Sequence, residues 1–279
     1  MRIDLHVHTT ASDGLLDPGA LVRAVTEAGV QVFGLADHDT VDAIPETLAL
    51  AEAAGLQCVP GIEISAYWGA IEFHILGYYI DPAEGTLTTF LQGTRKARHT
   101  RMRAMLSRLG AMGIPIPEAE VLAAARNGNV GRPHLARVLV EHGVVDGVDE
   151  AFERYLGAGR PAYVPRPDVT VAQAISVIHG AGGLAVVAHP GLQNRDDAFP
   201  DLLAAGLDGI EVYHPKHNYG LVSRYRRLAG RHQLLITGGS DFHGVPDGDH
   251  ASMLGRPCLH EADFLKLAEA IRSRRETAK

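Results

Sequence analysis

Cysteine is scarce in this chain. Cys58 and Cys258 are the only two, and they form neither a CxxC pair nor a disulfide framework, so a reducing, cytoplasmic setting is expected. No apolar run reaches the roughly 20 residues of a membrane span, so no membrane partner is expected. The opening MRIDLHVH reads as a strand and lacks the apolar core and small-residue cleavage site of a signal peptide. Basic excess is also missing. Lys and Arg number 26 against 33 Asp and Glu, a net charge of −7, which argues against a broad nucleic-acid surface but leaves room for a local basic pocket that holds one or two phosphates. No GxGxxG follows the first strand, which removes support for a dinucleotide fold. Internal repeats and low-complexity tracts are absent.

The chain does carry 279 residues, 46% of them apolar and 21% charged, enough for one barrel-sized domain or two ordinary ones. Strands are expected at Arg2–His8, Gln31–Ala36, Gln57–Ser65, Ile71–Ile80, Leu184–Ala188, Gly209–Tyr213 and Gln233–Thr237. Asp17 and Pro18 read as the N-cap and first turn of a helix, and Gly55 as the end of another. From about Thr86 to Tyr163 the pattern is mostly helical. It includes a long helix, Thr88–Gly110, whose basic face (Arg95, Lys96, Arg98, Arg101, Arg103, Arg108) reads as solvated rather than as an RNA track. The expected organisation is therefore a barrel-forming part at 1–85, a helical insertion at 86–165 and a second barrel part at 166–279. Seven strands alternating with helices imply a parallel sheet. An open sheet and a closed barrel both fit. The barrel is favoured because His6, His8, His38, Glu63, His189 and Asp241 fall at or just past strand C-terminal ends, where a barrel builds its site.

Histidine is the conspicuous residue, with 15 copies. In His6-Val7-His8 two imidazoles share one face of a strand, a common start for a metal site. Asp13 follows in a Thr-Ala-Ser-Asp-Gly loop. His38 lies between two acids, in Asp37-His38-Asp39. Glu63 lies between isoleucines, where an unpaired carboxylate is costly. His74 interrupts an apolar strand, His189 ends another, and Asp241 with His243 repeats the alternate spacing behind Gly238-Gly239. Together these are six His, two Asp and one Glu. A nitrogen and oxygen ligand set without thiolate suits Zn, Mn or Fe, and nine ligands exceed what one ion takes, so two or three divalent metals are implied. Asp37 and Asp39 are expected to orient the ligating histidines. His99, His142, His179, His232 and His260 read as surface groups.

These motifs, in this order, resemble the PHP (polymerase and histidinol phosphatase) family, over Met1 to about Ile80 and about Leu184 to His243. The resemblance implies a distorted (β/α)7 barrel with a trinuclear site: His6, His8, Glu63 and Asp241 on one metal, Glu63 bridging to a second held by His74 and His189, and Asp13, His38 and His243 on the third. The run Asp4 to Gly14 and the segment Gly131-Arg132-Pro133-His134 look like the branch of nucleoside 3′,5′-bisphosphate phosphatases, some of which also act as 5′→3′ exoribonucleases on short RNA. The expected reaction is attack on phosphorus by a metal-bridging hydroxide, with Glu63 and Asp241 central to it. His214 and a metal-bound water are equal candidates for the leaving-group acid. Arg132, His134 and Lys216 are candidate contacts for a second phosphate. The alternatives are a phosphatase for another small monoester, such as histidinol phosphate, and a non-catalytic PHP module. No obligate protein partner is evident.

Overall fold

The computed structural model describes residues 1–126, 129–165, 169–244 and 253–277. The expected boundary at 165–166 adjoins residues outside that description. Strand β1 (Ile3–Val7) leads through α1 (Pro18–Glu27) to β2 (Val32–Leu35), and α2 (Ile44–Ala53) leads to β3 (Gln57–Val59). These three strands form one parallel sheet in the order β1-β2-β3. Asp17 caps α1 by accepting the Ala20 N–H at 2.7 Å, with proline in the first turn, as its sequence predicts.

The single strand expected at Gln57–Ser65 is two strands. Pro60 has no N–H to give a ladder, and the chain leaves the first sheet there. Strand β4 (Gly61–Trp68) opens a second sheet of five strands. It turns at Gly69, which has a left-handed φ of 60°, into β5 (Ile71–Tyr78), and the two pair antiparallel from Gly61↔Tyr78 to Trp68↔Ile71. Strand β6 (Leu184–Val187) also runs antiparallel to β5, and only β7 (Gly209–Tyr213) and β8 (Leu235–Gly238) continue in parallel. Among the described residues, eight strands in a mixed arrangement thus replace seven parallel ones. A two-residue turn cannot carry the crossover a parallel pair requires.

The two sheets meet through isolated bridges. Val7 pairs with Phe242 just beyond β8, and His38 pairs with Glu63 of β4. Among the described residues no continuous ladder closes the strands into a barrel. Gly239 makes the first meeting possible: a Cβ there would lie 2.4 Å from the Cβ of His6.

Between β5 and β6 the chain is helical: α3 (Gly85–Ala111), α4 (Glu118–Ala124), α5 (Arg132–Glu141) and α6 (Val148–Ala151), the last continuing into a π-turn at Phe152–Leu156. α3 spans two cores. Leu87 and Leu91 pack on the main core with the strands, α1 and α7 (Val171–Gly180), whereas Met102, Met105 and Leu109 pack in a separate cluster with Val121, Leu135, Leu139 and Leu156. Helices α8 (Phe199–Ala204), α9 (Tyr219–His232) and α10 (Glu261–Thr277) complete the fold. No described helix is long and apolar enough to cross a membrane.

Candidate metal centre and phosphate pocket

Glu63 is wholly buried, and its carboxylate is the hub of the site. One oxygen, Oε1, lies 2.8 Å from His74 Nδ1 and 3.1 Å from His189 Nε2. The other, Oε2, lies 3.3 Å from His6 Nε2, 3.4 Å from His8 Nε2 and 3.1 Å from His38 Nδ1. Asp241 Oδ1 approaches the Nε2 atoms of His6 and His8 at 3.4 and 3.3 Å, and His243 Nε2 lies 3.3 Å from Asp13 Oδ1. All nine residues singled out by the motifs therefore converge. Glu63 and His74 do so from within the β4–β5 hairpin rather than from strand ends. Ligand atoms of eight of the nine fall into three groups of metal-binding size: His8, Asp13, His38 and His243; His6, His8, Glu63 and Asp241; and His38, Glu63 and His74, where His38 stands in the place expected of His189.

Several of these atoms are buried with no hydrogen-bond partner, namely both ring nitrogens of His8, Asp13 Oδ1, His38 Nδ1 and His189 Nδ1. Orphaned buried polar atoms are costly, and a bound cation satisfies such atoms directly. The donor set is neutral nitrogen and carboxylate oxygen, which suits Zn, Mn or Fe. The cluster is also electrostatically tense without a cation. Burial opposes the charge on Glu63, but the imidazoles of His38, His74 and His6 overcome it and hold the carboxyl well below its usual range. Burial likewise opposes ionisation of Asp13 and Asp241, and neighbouring imidazoles again hold both low. Burial pulls the His74 and His243 rings down, but Glu63 and Asp13 respectively push them up to about 10 and about 9. Burial dominates at His38 and lowers it to about 3.

Two buried acids and a buried histidine that sequence reasoning missed support these groups. Glu211, fully buried in β7, accepts from His6 Nδ1 at 2.9 Å and from the His189 backbone N–H at 2.7 Å. Its Oε2 thereby steadies a residue held at a φ of 28°. Asp4 accepts from Ser240 and Gly255 and so fixes the loop that carries Asp241. His217 donates from Nδ1 to Val212 O at 3.0 Å and accepts the Gly191 N–H at 3.1 Å, tying down the loop after His189. Glu211 had the signature that marked Glu63, an acid between apolar residues of a strand; His217 had none. Asp37 holds the Thr9 and Ser12 hydroxyls, at 2.7 and 2.6 Å, rather than an imidazole. Asp39 accepts from the Ser65 N–H and receives Arg98.

A cavity of about 340 Å³ opens above the cluster, with Asp13, His38, His74, Asp241 and His243 on its floor and Arg98, Arg101, Arg132, Lys216, Glu72 and Phe152 among its walls. The expected uniform solvated face of α3 is thus divided. Arg98 and Arg101, one turn apart, face the cavity, whereas Arg95 pairs with Asp42 and Arg103 with Glu118. Glu72 holds Arg132 at 2.7 Å. Arg101 donates to Val164 O at 2.7 Å, and its buried Nη2 has no hydrogen-bond partner. Exposed Lys216 also lines the cavity. Two other candidates do not. His134 is buried, with Nδ1 accepting the Gly131 N–H and Nε2 donating to Ser12 O, so neither nitrogen is left for a phosphate. His214 accepts the Lys216 N–H at Nδ1 and turns Nε2 to Asp241 at 3.3 Å; it braces a carboxylate and is not placed as a free acid.

Comparison with known proteins bears directly on this cluster. Residues 4–114 match the PHP domain model. The 5′-3′ exoribonuclease Rnm of Salmonella typhimurium is 39% identical over 86% of this chain and 84% of its own. The 3′,5′-nucleoside bisphosphate phosphatase of Chromobacterium violaceum is 34% identical over 97% of this chain and 95% of its own. The chain belongs to the PHP family. It is a metal-dependent phosphoesterase, a hydrolase. Among solved structures, a chain from Bifidobacterium adolescentis, described as a candidate metal-dependent phosphoesterase, superposes with a TM-score of 0.86 at 34% identity, covering 95% of this chain and 94% of that one.

Proposed function

We propose that this PHP protein removes the 3′-phosphate of nucleoside 3′,5′-bisphosphates and also acts on short 5′-phosphorylated oligoribonucleotides. The observation that carries this reading is the two-zone cavity: a floor of imidazoles and carboxylates beneath walls of Arg98, Arg101, Arg132 and Lys216. One phosphate fits the floor, and the cationic walls suit a second one several ångströms away. The names of the Salmonella and Chromobacterium relatives support a nucleotide or RNA substrate.

In this reading the two sheets together make a distorted barrel built from 1–85 and 166–279, with 86–165 as a lid. His6, His8, Glu63 and Asp241 hold one divalent ion, Glu63, His74 and His189 a second, and Asp13, His38 and His243 a third. Bound Mn, Zn or Fe ions lower the pKa of water and neutralise phosphate oxygens. The chain's own work is positional. Glu63 fixes the spacing of its five imidazoles. Glu211 holds His6 Nδ1 as a donor, so that Nε2 faces the centre. Arg132, braced by Glu72, presents its guanidinium to the non-reacting phosphate.

Turnover with Mn²⁺ is expected to be fastest on adenosine 3′,5′-bisphosphate, with phosphate release measured for it, AMP and histidinol phosphate, and mononucleotide release for a 5′-phosphorylated trinucleotide. A preference for histidinol phosphate overturns the nucleotide reading. Arg132→Ala is expected to raise KM for the bisphosphate about ten- to a hundredfold, the worth of one charge-assisted hydrogen bond of about 1.5–3 kcal/mol. Its kcat should change little, and a kcat loss at constant KM would place Arg132 at the reacting phosphate instead.

A further inference from the structure

The helical segment between β5 and β6 does more than stand over the cavity. Three of its side chains reach across to backbone carbonyls on the two loops that present Asp13 and His38. His134, the third residue of α5, donates from Nε2 to Ser12 O at 2.9 Å. Arg137, one turn further along, donates from Nη2 to Asp13 O. Asn129 donates from Nδ2 to His38 O. Arg98 of α3 adds an ion pair at 2.6 Å to Asp39, the residue after His38, which is held at a left-handed φ of 49°. His134 and Asn129 are almost wholly buried, at 1% and 2% exposure, so these are internal struts rather than surface contacts.

The other ligands are fixed differently. His6 is set by Glu211 and by the Phe242 N–H, which donates to its carbonyl, His189 by Glu211, and Asp241 by the Asp4-anchored loop. These supports all come from the two sheets and their connecting loops. The Asp13 loop has supports of its own, from Asp37 and from Leu15 N–H to His243 O, but its outward-facing carbonyls are held by the helical segment.

We infer that the helical segment is a structural part of one metal position: Asn129, His134 and Arg137 are positioning residues for the ion held by Asp13, His38 and His243. The inference rests on the reading of the cluster as a metal centre. Its consequence is selective. Loosening a strut weakens that ion and leaves in place the ion of His6, His8, Glu63 and Asp241, none of which a strut touches. His134 suits the task because burial, the largest influence on it, lowers its pKa to about 4. The ring therefore stays neutral near pH 7, one nitrogen accepting and the other donating.

The test is equilibrium dialysis against stepped concentrations of free Mn²⁺, with Mn per chain measured by mass spectrometry, on the full-length wild type, His134→Ala, His134→Gln and Asn129→Ala. Wild-type protein is expected to fill in resolvable steps. In His134→Ala and Asn129→Ala the last step should need about 10- to 100-fold more free Mn²⁺, the usual effect of removing an outer support of a metal ligand, with at least one earlier step unchanged. Glutamine places an amide N–H near the position of the lost Nε2, so His134→Gln should recover most of the shift. Should His134→Ala fail to fold, Asn129→Ala reads the same position through His38. A normal wild-type load with unshifted steps in the variants, or with all steps shifted together, overturns the strut alone. A wild type that binds no Mn²⁺ overturns the metal reading and the strut with it. Normal steps and a selective shift in a protein inactive on every phosphate ester support the strut and fail the proposed substrate.

Discussion

Glu63→Gln is expected to lower kcat/KM on the preferred phosphate ester by about a thousandfold or more. The substitution keeps the side-chain shape and removes its charge. Five imidazoles lie within 3.4 Å of the two carboxylate oxygens, and each must offer a lone pair rather than a proton when it serves as a ligand. A carboxylate accepts on both oxygens. A glutamine turns one of them into an N–H₂ donor aimed at nitrogens that then carry no proton. It also removes the negative charge that makes adjacent cations tolerable in a fully buried space. An ion that stabilises developing phosphate charge supplies several kcal/mol, and at about 1.4 kcal/mol per tenfold this is roughly three orders of magnitude. The loss should fall on kcat, accompanied by the loss of at least one Mn²⁺ per chain, with KM for the bisphosphate governed still by Arg132. A Glu63→Gln variant with a full Mn load and a rate within tenfold of wild type would remove Glu63 from the centre of the site.

Much of that centre was legible in the chain before any coordinates. An alternating strand that ends in His6-Val7-His8, and an acid such as Glu63 placed between isoleucines, are hard to reconcile with a plain core, because burying such groups unpaired is costly. Strand direction was less legible. Periodicity marks Gln57–Ser65 and Ile71–Ile80 as strands, but it carries no sign for up or down. Only the short turn at Gly69 excluded a parallel crossover. Helix phase was hidden in the same way. Arg98 and Arg101 differ from Arg95 and Arg103 only in sharing the side of α3 that buries Thr94, Met102 and Met105, and a row of arginines in sequence does not show that side. The role of His134 was out of reach altogether, since its partner is the Ser12 carbonyl, 122 positions away, and a carbonyl leaves no trace in residue type.

Metal removal should leave a protein whose stability falls as pH rises above neutrality, and Mn²⁺ should restore most stability where that loss is greatest. Without cations the cluster is held by charged imidazoles against carboxylates. His74 and His243 are raised, to about 10 and about 9. A raised basic group contributes stability that is complete below its unfolded pKa, about 6.5, and is lost as pH climbs through the folded value. The metal-free melting temperature should therefore decline from about pH 6.5 to 10. On the acid side Glu63, Asp13 and Asp241 are depressed, so what they contribute is present above about pH 4 and lost as pH falls further. His38, lowered to about 3, works in the same direction: the unfolded chain takes up its proton below about pH 6.5 and the folded chain does not. Stability without metal should thus peak near neutrality. Mn²⁺ reverses the alkaline limb, because it competes with protons for the same nitrogens and binds more tightly as they leave. Each position saturated at a hundred times its Kd contributes about 2.7 kcal/mol, and one kcal/mol moves Tm by about 2–4 °C in a domain somewhat smaller than this chain. Three filled positions should then raise Tm by roughly 15–30 °C at about pH 9, and by clearly less at about pH 6.5. Calorimetry with EDTA and with Mn²⁺ at both pH values decides the matter. An increment that does not grow with pH, or a metal-free Tm that rises toward pH 9, would mean that the imidazoles around Glu63 and Asp13 are not held as protonated partners of those carboxylates.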